Sequence, residues 1–240
     1  MDSNAMAPEG LAIVAYLEGD RDAELVIHRD DGVDDPMPVG FFFRQPPDFD
    51  PVEKEAVDRC KGRVLDVGAG TGPHSLVLQE RGLAVTAIDI IPEAAAIMQK
   101  RGVTDVHCAD VFTFQAGPFD TILLLGHGIG MVETIAGLDR FLAHAHKLVS
   151  SDGQVLLDSL DVRQTDDPRH LAYHEANRRA GRYIGEVRLQ LGFQGNKGPL
   201  CGWLHVDAET LSERAGPANW RTEVLLREET GHYLARLGKT

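Results

Sequence analysis

Paired cysteines, an excess of basic charge and long apolar runs are all missing from this 240-residue sequence. Its three cysteines, Cys60, Cys108 and Cys201, lie far apart and form no C-x-x-C pair, so we expect small buried thiols rather than disulfides. The formal net charge of −13 argues against nucleic acid as the partner, because tight binding needs clustered Lys and Arg. No apolar run is long enough to cross a bilayer and no signal peptide is evident, so we expect no membrane partner and a cytoplasmic location.

The composition that remains is typical of a globular protein, with 43% hydrophobic and 25% charged residues. The length favours one domain with additions and is sufficient for a full core. No internal repeat or low-complexity tract is evident. We interpret the stretch Met1–Ala5, MDSNA, as a remnant of an expression tag.

A glycine-rich corner, RVLDVGAGTG, dominates the rest of the sequence. Arg63–Val67 predicts a short buried strand, and Pro73 suits the first turn of a helix, where its missing N–H is harmless. Between them lies a loop with three glycines, Gly68, Gly70 and Gly72. Glycines let the backbone turn sharply and approach a ligand closely, so the corner predicts a nucleotide-binding site. A glycine turn without a ligand is the alternative.

The glycine spacing and a nearby acid distinguish two kinds of cofactor. The pyrophosphate fingerprint G-x-G-x-x-G/A, aligned on Gly68 and Gly70, needs Gly or Ala where this chain has Pro73. The carboxylate of Asp66, two residues before the first glycine, would face two negative phosphates, whereas it suits a cationic amino group. An NAD-type dehydrogenase is therefore a disfavoured alternative.

The segments after this corner alternate between predicted helices and apolar strands, and three of the strands end in an acid. The predicted strands are Leu83–Asp89, Val106–Asp110, Phe119–Leu125 and Gln154–Asp158. This alternation predicts a parallel, doubly wound sheet with right-handed crossovers. Asp89 follows Gly68 by about twenty residues, the position at which an acid binds ribose hydroxyls in nucleotide-binding α/β units. A turn or cap acid is the alternative for Asp89 and Asp110.

Two other segments are predicted to lie near the site. Ala23–Arg29 and Pro38–Phe43 predict an N-terminal hairpin arm. Tyr183–Gln194 and Leu200–Val206 predict a second hairpin, within an insertion over residues 162–206 that follows the fifth strand. Because open α/β sheets bind ligands beyond the carboxyl ends of their strands, we expect this insertion to cover the site.

The stretch Leu65–Gly72, LDVGAGTG, resembles motif I of the class I S-adenosylmethionine-dependent methyltransferases, and the resemblance extends over Val64–Ser159. It implies a Rossmann-like α/β fold with a doubly wound, mostly parallel sheet of about seven strands, closed by antiparallel strands at one edge. Residues 51–240 would form the methyltransferase domain, with 162–206 as an inserted lid and β-hairpin. Residues 1–50 would hold the tag remnant and the arm.

The resemblance implies S-adenosyl-L-methionine as the cofactor and S-adenosyl-L-homocysteine as its product. The glycine corner would hold the methionine end of the cofactor, and the acid that ends the second strand would bind the ribose. The end of the third strand would contact the adenine edge, and the end of the fourth strand would flank the sulfonium. The cofactor-binding residues implied in this way are Asp66, Gly68, Ala69, Gly70, Gly72, Asp89, Ile90, Asp110, Val111, Leu125 and Gly126.

The acceptor side is less defined. The Asn/Asp-Pro-Pro-aromatic motif of methyltransferases that act on DNA bases or glutamine amides is replaced by GHGIG, Gly126–Gly130. We therefore expect a small-molecule acceptor and no nucleic acid, with a homodimer left open. The glycines permit close approach of a substrate, and His127 is placed to remove a proton from it. A loop histidine that contacts the substrate by shape alone is an equal alternative, as is a cofactor-binding module without turnover.

Three further features have weaker predictions. His170 and His174 have the i, i+4 spacing of metal ligands, but no third ligand is evident, so we predict no metal site. Tyr173, His174 and Asn177 are expected to line the lid or the acceptor pocket. Arg44 is expected at the surface, with contact to the cofactor carboxylate as the alternative.

Overall fold

The structure is a computed structural model that describes residues 2–240. The α-helices in this range are α1 (Ala7–Leu17), α2 (Pro51–Arg59), α3 (Pro73–Glu80), α4 (Pro92–Arg101), α5 (Ile135–Leu148), α6 (Pro168–Arg179) and α7 (Ala208–Ala215). The strands are β1 (Glu24–Arg29), β2 (Asp34–Pro38), β3 (Arg63–Val67), β4 (Ala84–Asp89), β5 (Val106–Cys108), β6 (Phe119–Leu124), β7 (Val149–Leu160), β8 (Glu186–Phe193), β9 (Asn196–Lys197), β10 (Cys201–Leu204), β11 (Trp220–Arg227) and β12 (His232–Lys239). Within residues 2–240, no helix is both long and apolar enough to span a bilayer.

Seven strands form the large sheet, in the order β11-β12-β7-β6-β3-β4-β5. The five strands from β7 to β5 pair in parallel. At the other edge β12 runs antiparallel to β7, and β11 runs antiparallel to β12. This arrangement confirms the predicted doubly wound, mostly parallel sheet of about seven strands.

The central strands are buried because helices cover both faces of the sheet. Leu65 and its neighbour Val64 are both fully buried but point to opposite faces. Leu65 belongs to a hydrophobic cluster with Phe141 of α5, whereas Val64 belongs to another with Val57 of α2 and Leu78 of α3. This two-sided burial explains why the strands are apolar almost throughout.

The N-terminal arm and the insertion together form a second, antiparallel sheet, in the order β10-β8-β1-β2 with β9 paired to β8. The prediction of a returning strand over Pro38–Phe43 was wrong. That strand is Asp34–Pro38, and Val39–Phe43 forms a 3-10 helix with Val39 buried. The two prolines of β2 are tolerated because β2 lies at the edge of its sheet, where a missing N–H breaks no central ladder.

The N-terminal helix α1 was not predicted from the sequence. It packs against α4 and β8, with Ala12 and Ile13 fully buried. Of the stretch assigned to a tag remnant, Met1 lies outside the described residues, but Ala5 is fully buried. A Cβ added at Gly198 would lie 2.6 Å from the Ala5 carbonyl oxygen, so this stretch packs closely against the insertion.

Candidate functional site

A cavity of about 1000 Å³ lies between the carboxyl ends of the central strands and the second sheet. The glycine loop after β3 and the segments after β4 and β6 line one side. Leu25 of β1, Leu189 of β8 and Trp203 of β10 line the other. The cavity therefore lies where open α/β sheets bind ligands, and the second sheet forms its roof.

The glycine loop has a backbone conformation that favours glycine. Gly68 and Gly70 have φ angles of 67° and 57°, in the left-handed region that side chains disfavour. The N–H of Gly70 donates to Asp89 Oδ2 at 2.8 Å. The Thr71 hydroxyl donates to the carbonyl oxygen of Phe42, so the N-terminal arm is fastened to the loop.

Gly72 is the one predicted cofactor residue that does not line the cavity. It precedes α3 with a φ of 83°, and a Cβ added there would lie 2.9 Å from Val103 and 3.0 Å from Met98. The structure therefore explains Gly72 by close packing against α4 and the segment after it, and not by contact with a ligand.

The acids Asp66 and Asp89 stand side by side at the ends of β3 and β4, and both side chains are buried. Asp66 Oδ2 accepts a hydrogen bond from Ser75 at 2.6 Å, and burial raises the pKa of Asp66. Asp89 accepts from the backbone N–H groups of Gly70 and Ile91 at 2.8 and 2.9 Å. Burial nevertheless raises the pKa of Asp89 to about 6. A ligand with an ammonium or hydroxyl groups would compensate these desolvated carboxylates.

A third acid, Glu9, reaches the cavity from α1 and was missed in the sequence. Burial, and next the charge of Asp89, raise the pKa of Glu9 to about 8. No local pattern marks this residue, because only the packing of α1 against α4 brings it to the cavity. Asp110 also lines the cavity, and its Oδ1 accepts from the N–H of Phe112 at 2.9 Å.

The structure thus brings eleven of the predicted site residues to one cavity. They are Asp66, Gly68, Ala69, Gly70, Asp89, Ile90, Asp110, Val111, Leu125, Gly126 and His127.

Arg44 lies at the cavity and not at the surface. Its guanidinium donates to Glu53 Oε1 at 2.6 Å, and the same oxygen lies 2.8 Å from His74 Nε2. Burial alone would raise the pKa of Glu53, but its bonds to His74 and to the N–H of Asp50 lower it. Within the described part of the chain, Arg44 Nε is buried and has no hydrogen-bond partner. This N–H therefore lacks the partner that a buried donor normally has, although Arg44 borders the cavity.

His127 belongs to a cluster that the sequence did not reveal. Its backbone N–H donates to both oxygens of Asp158, at 3.0 and 3.1 Å. The Nε2 of His232 lies 2.7 Å from Asp158 Oδ2. The ring centroids of His127 and His205 are 5.6 Å apart. Four side chains from distant parts of the sequence therefore meet at one end of the cavity.

The histidines of this cluster differ in their affinity for protons. Burial lowers the pKa of His127, and burial together with the neighbouring His127 lowers the pKa of His205 to about 3. For His232, burial lowers the pKa, but the hydrogen bond and the charge of Asp158 outweigh it, so the net change is upward. His127 and His205 are accordingly neutral imidazoles at neutral pH.

Two expectations for the acceptor side need correction. A Cβ added at Gly130 would lie 2.0 Å from the Trp203 ring. The missing side chain of Gly130 therefore leaves space for Trp203 of the roof and not for a substrate. Asn177 is fully buried, donates to the carbonyl oxygens of Ile184 and Glu186, and does not line the cavity. It fastens α6 to the start of β8.

Tyr173, His170 and His174 do line the cavity, from α6. The Tyr173 hydroxyl donates to Asp30 at 2.8 Å and accepts from the N–H of Arg188 at 3.0 Å. These bonds join α6 to both hairpins of the roof. In the part of the chain that the structure describes, the group of His, Cys or acidic residues close enough to share a metal ion is His127, Asp158 and His232; the pair His170 and His174, whose spacing alone is typical of metal ligands, does not belong to it.

Comparison with known proteins relates this chain to methyltransferases at the level of both sequence and structure. A family profile described as "Methyltransferase domain" matches residues 46–196. The crystal structure of a SAM-dependent methyltransferase from Bacteroides fragilis, in complex with S-adenosyl-L-homocysteine, is 30% identical, with a TM-score of 0.86 over 100% of this chain and 97% of that chain. An uncharacterized methyltransferase of Staphylococcus carnosus is 30% identical over 107 residues, 44% of this chain and 51% of that protein. One from Mycobacterium tuberculosis is 43% identical over 65 residues, 25% of this chain and 26% of that protein. The matched region thus spans about half or less of these curated relatives.

Proposed function

The chain belongs to the methyltransferase domain family, and we propose that it transfers a methyl group from S-adenosyl-L-methionine to a small-molecule acceptor. One observation carries the proposal: three acids, Asp66, Asp89 and Asp110, lie at the carboxyl ends of three adjacent parallel strands beside a left-handed glycine loop. Such a pocket is unfavourable for the two negative charges of a pyrophosphate, because the carboxylates of Asp66 and Asp89 are buried beside the loop. It favours a ligand with an ammonium at one end and hydroxyl groups in the middle.

The residues present fit this cofactor part by part. The buried carboxylate of Asp66 suits the ammonium group, and Arg44 Nε suits the carboxylate beside it. Asp89 and Glu9 suit the ribose hydroxyls, the one as acceptor and the other, when protonated, as donor. Asp110 suits the exocyclic amine of the adenine. This assignment places the reacting end of the cofactor beside Gly126 and His127.

Bound S-adenosyl-L-methionine would supply a methyl group that its sulfonium already activates. The chain then has to hold the acceptor in line, and such alignment alone can supply roughly 7–11 kcal/mol. We assign His127 as the base that takes the acceptor proton where one must leave, because burial keeps its imidazole neutral. The backbone N–H of His127, bonded to Asp158, fixes the position of this loop.

The roof supports a small acceptor. Leu189, Leu191 and Trp203 present apolar surface to the cavity, and the second sheet separates it from solvent on that side. A cytoplasmic location is part of the proposal, since Cys60, Cys108 and Cys201 are all free thiols.

Titration calorimetry with S-adenosyl-L-homocysteine and with NAD⁺ tests the cofactor assignment. We expect binding of the first only, and at least tenfold weaker binding, about 1.4 kcal/mol, in Asp89→Asn. Glu18→Gln, at the exposed end of α1, is the control and should bind like the unaltered protein. Preferential binding of NAD⁺, or an Asp89→Asn variant of full affinity, would contradict the assignment.

Turnover distinguishes the enzyme from a cofactor-binding module. Methyl transfer is measured with radiolabelled cofactor across a panel of small acceptors. His127→Gln is expected to lower turnover while leaving affinity for S-adenosyl-L-homocysteine within about twofold, because the imidazole acts on the acceptor. Tight cofactor binding without transfer to any acceptor of a broad panel would favour the module.

A further inference from the structure

We propose that His127, Asp158 and His232 bind one divalent transition-metal ion, of the zinc class, at the acceptor end of the cavity. One potential ligand atom from each residue lies within 4.8 Å of the other two. The three residues come from separate elements, the loop after β6, the strand β7 and the start of β12. Their proximity is therefore a product of the fold and not of neighbouring positions in the sequence.

Unpartnered nitrogen atoms point to a ligand that the protein alone does not supply. The Nδ1 of His127 is buried and, among residues 2–240, has no hydrogen-bond partner. It lies 3.7 Å from Asp158 Oδ2. The Nδ1 of His205, whose ring packs edge-on against His127, is buried and unpartnered as well. Buried polar atoms are normally paired, so the unpartnered Nδ1 of His127 beside the Asp158 carboxylate indicates a site for a cation.

The distances suit an ion of this size. Zinc binds histidine nitrogen and carboxylate oxygen at about 2.0–2.2 Å, which places adjacent ligand atoms roughly 3.3 Å apart. Asp158 Oδ2 lies 2.7 Å from His232 Nε2 and 3.7 Å from His127 Nδ1. Shifts of about half an ångström at each contact would make both separations equal. The ion would replace the proton that His232 and Asp158 now share, and that proton would leave to solvent.

The surroundings favour a cation and hold its ligands in place. Asp50 and Glu228 lie 4.0 and 3.7 Å from the other nitrogen of His232, so carboxylates flank the ligand set. The backbone of His127 has a φ of 59°, a left-handed conformation that is uncommon for residues other than glycine. That conformation aims its N–H at Asp158, and such a bond orients a ligating carboxylate.

The ligand types limit the metal. Two imidazoles and one carboxylate suit Zn²⁺, Co²⁺ or Fe²⁺, whereas Mg²⁺ and Ca²⁺ prefer oxygen ligands alone. Three protein ligands leave coordination positions open, as in catalytic zinc sites. Because His127 lines the cavity, an open position there would bind a hydroxyl oxygen of the acceptor and lower its pKa; with the ion bound, this effect would replace proton removal by the His127 imidazole, whose lone pair the ion would occupy. This last step rests on the proposed methyl transfer, but metal binding itself does not.

The experiment measures metal binding without cofactor or acceptor. The purified full chain is stripped with a chelator, dialysed against Zn²⁺ or Co²⁺, and analysed for metal content. We expect one ion per chain, with visible absorption bands in the Co²⁺ form. His232→Gln retains a side-chain N–H for Asp158 but removes the imidazole, so affinity for the ion should fall at least tenfold.

The control variant is His107→Gln. His107 also pairs with an aspartate, Asp105, at 2.9 Å, but it does not line the cavity. It should bind the ion like the unaltered chain. The inference is overturned if the chain binds no ion, if His232→Gln keeps full affinity, or if His107→Gln loses the ion.

Thermal melting shows whether His232→Gln folds. If it does not, His127→Asn provides the same comparison, because Asn tolerates the left-handed backbone at this position. Its binding must then fall at least tenfold for the inference to stand. Since no cofactor is present, failure here leaves the proposed methyl transfer untouched.

Discussion

Glu9 tests whether the N-terminal helix belongs to the cofactor cavity. Burial, and next the charge of Asp89, raise the pKa of Glu9 from 4.5 to about 8. At about 1.4 kcal/mol for each pH unit this rise corresponds to a ceiling of roughly 5 kcal/mol. The side chain retains some contact with solvent, which screens the charge, so we expect about 1–2 kcal/mol in practice.

The sign of the effect follows from proton binding. The folded chain binds the Glu9 proton more tightly than the unfolded chain does, so this stability contribution is complete below about pH 4.5 and is lost as the pH rises to about 8. Glu9→Gln keeps the shape of the neutral acid but cannot ionise. The variant should therefore match the unaltered chain near pH 4.5 and exceed its free energy of unfolding by about 1–2 kcal/mol above pH 8.

Urea unfolding of the ligand-free chain at both pH values is the assay. Glu18→Gln, at the exposed end of the same helix, removes a charge without removing a buried acid and should show no such pH-dependent gain. An equal effect of Glu9→Gln at both pH values, or an equal gain in Glu18→Gln, would refute the placement of Glu9 beside Asp89.

Two pairs of glycine substitutions, each a test with its control, probe contact with the ligand and packing of the roof. Gly70→Ala is expected to weaken binding of S-adenosyl-L-homocysteine at least tenfold by calorimetry, whereas Gly82→Ala, also at a positive φ but with open space around it, should leave affinity unchanged. Equal losses would show that strain alone is responsible. Gly130→Ala would force the Trp203 ring to move and should lower the free energy of unfolding by about 1–3 kcal/mol in urea, while Gly216→Ala, with open space, should not. A Gly130→Ala variant of full stability would contradict the packing of the roof on this turn.

The parallel part of the fold was predictable because its signals are local. Arg63–Val67 is a strand over the predicted residues, and the glycines after it mark where it turns. The helix α1 was missed because it carries apolar residues on several faces and its N-cap residue, Met6, makes no side-chain cap. Strand β2 was misplaced because PVGFFF has the apolar content of a strand, while the pairing partner of β1 is the polar stretch before it.

The residues of the candidate site also fall into a part that local sequence signals predict and a part that only the folded chain brings together. The acids that end parallel strands could be predicted to meet, since parallel strands in one sheet bring their carboxyl ends to one edge. Asp158 ended a predicted strand too, but its partner His232 lies in the antiparallel strand β12, and His205, whose ring packs against His127, lies in the insertion. No periodicity links such positions, so the cluster became visible only in the folded chain.

The roof covers one cavity with two hairpins that depend on each other. Its two hairpins are distant in sequence, and an isolated two-stranded hairpin is marginally stable at best. Pairing of β1 with β8, from Val26↔Gly192 to Arg29↔Leu189, joins them into one sheet. Leu25 and Ile27 of the first hairpin and Trp203 of the second then line the same cavity. Cofactor and acceptor would therefore lie under a single paired surface, and a substitution that loosens β1 from β8 should expose both ends of the site together.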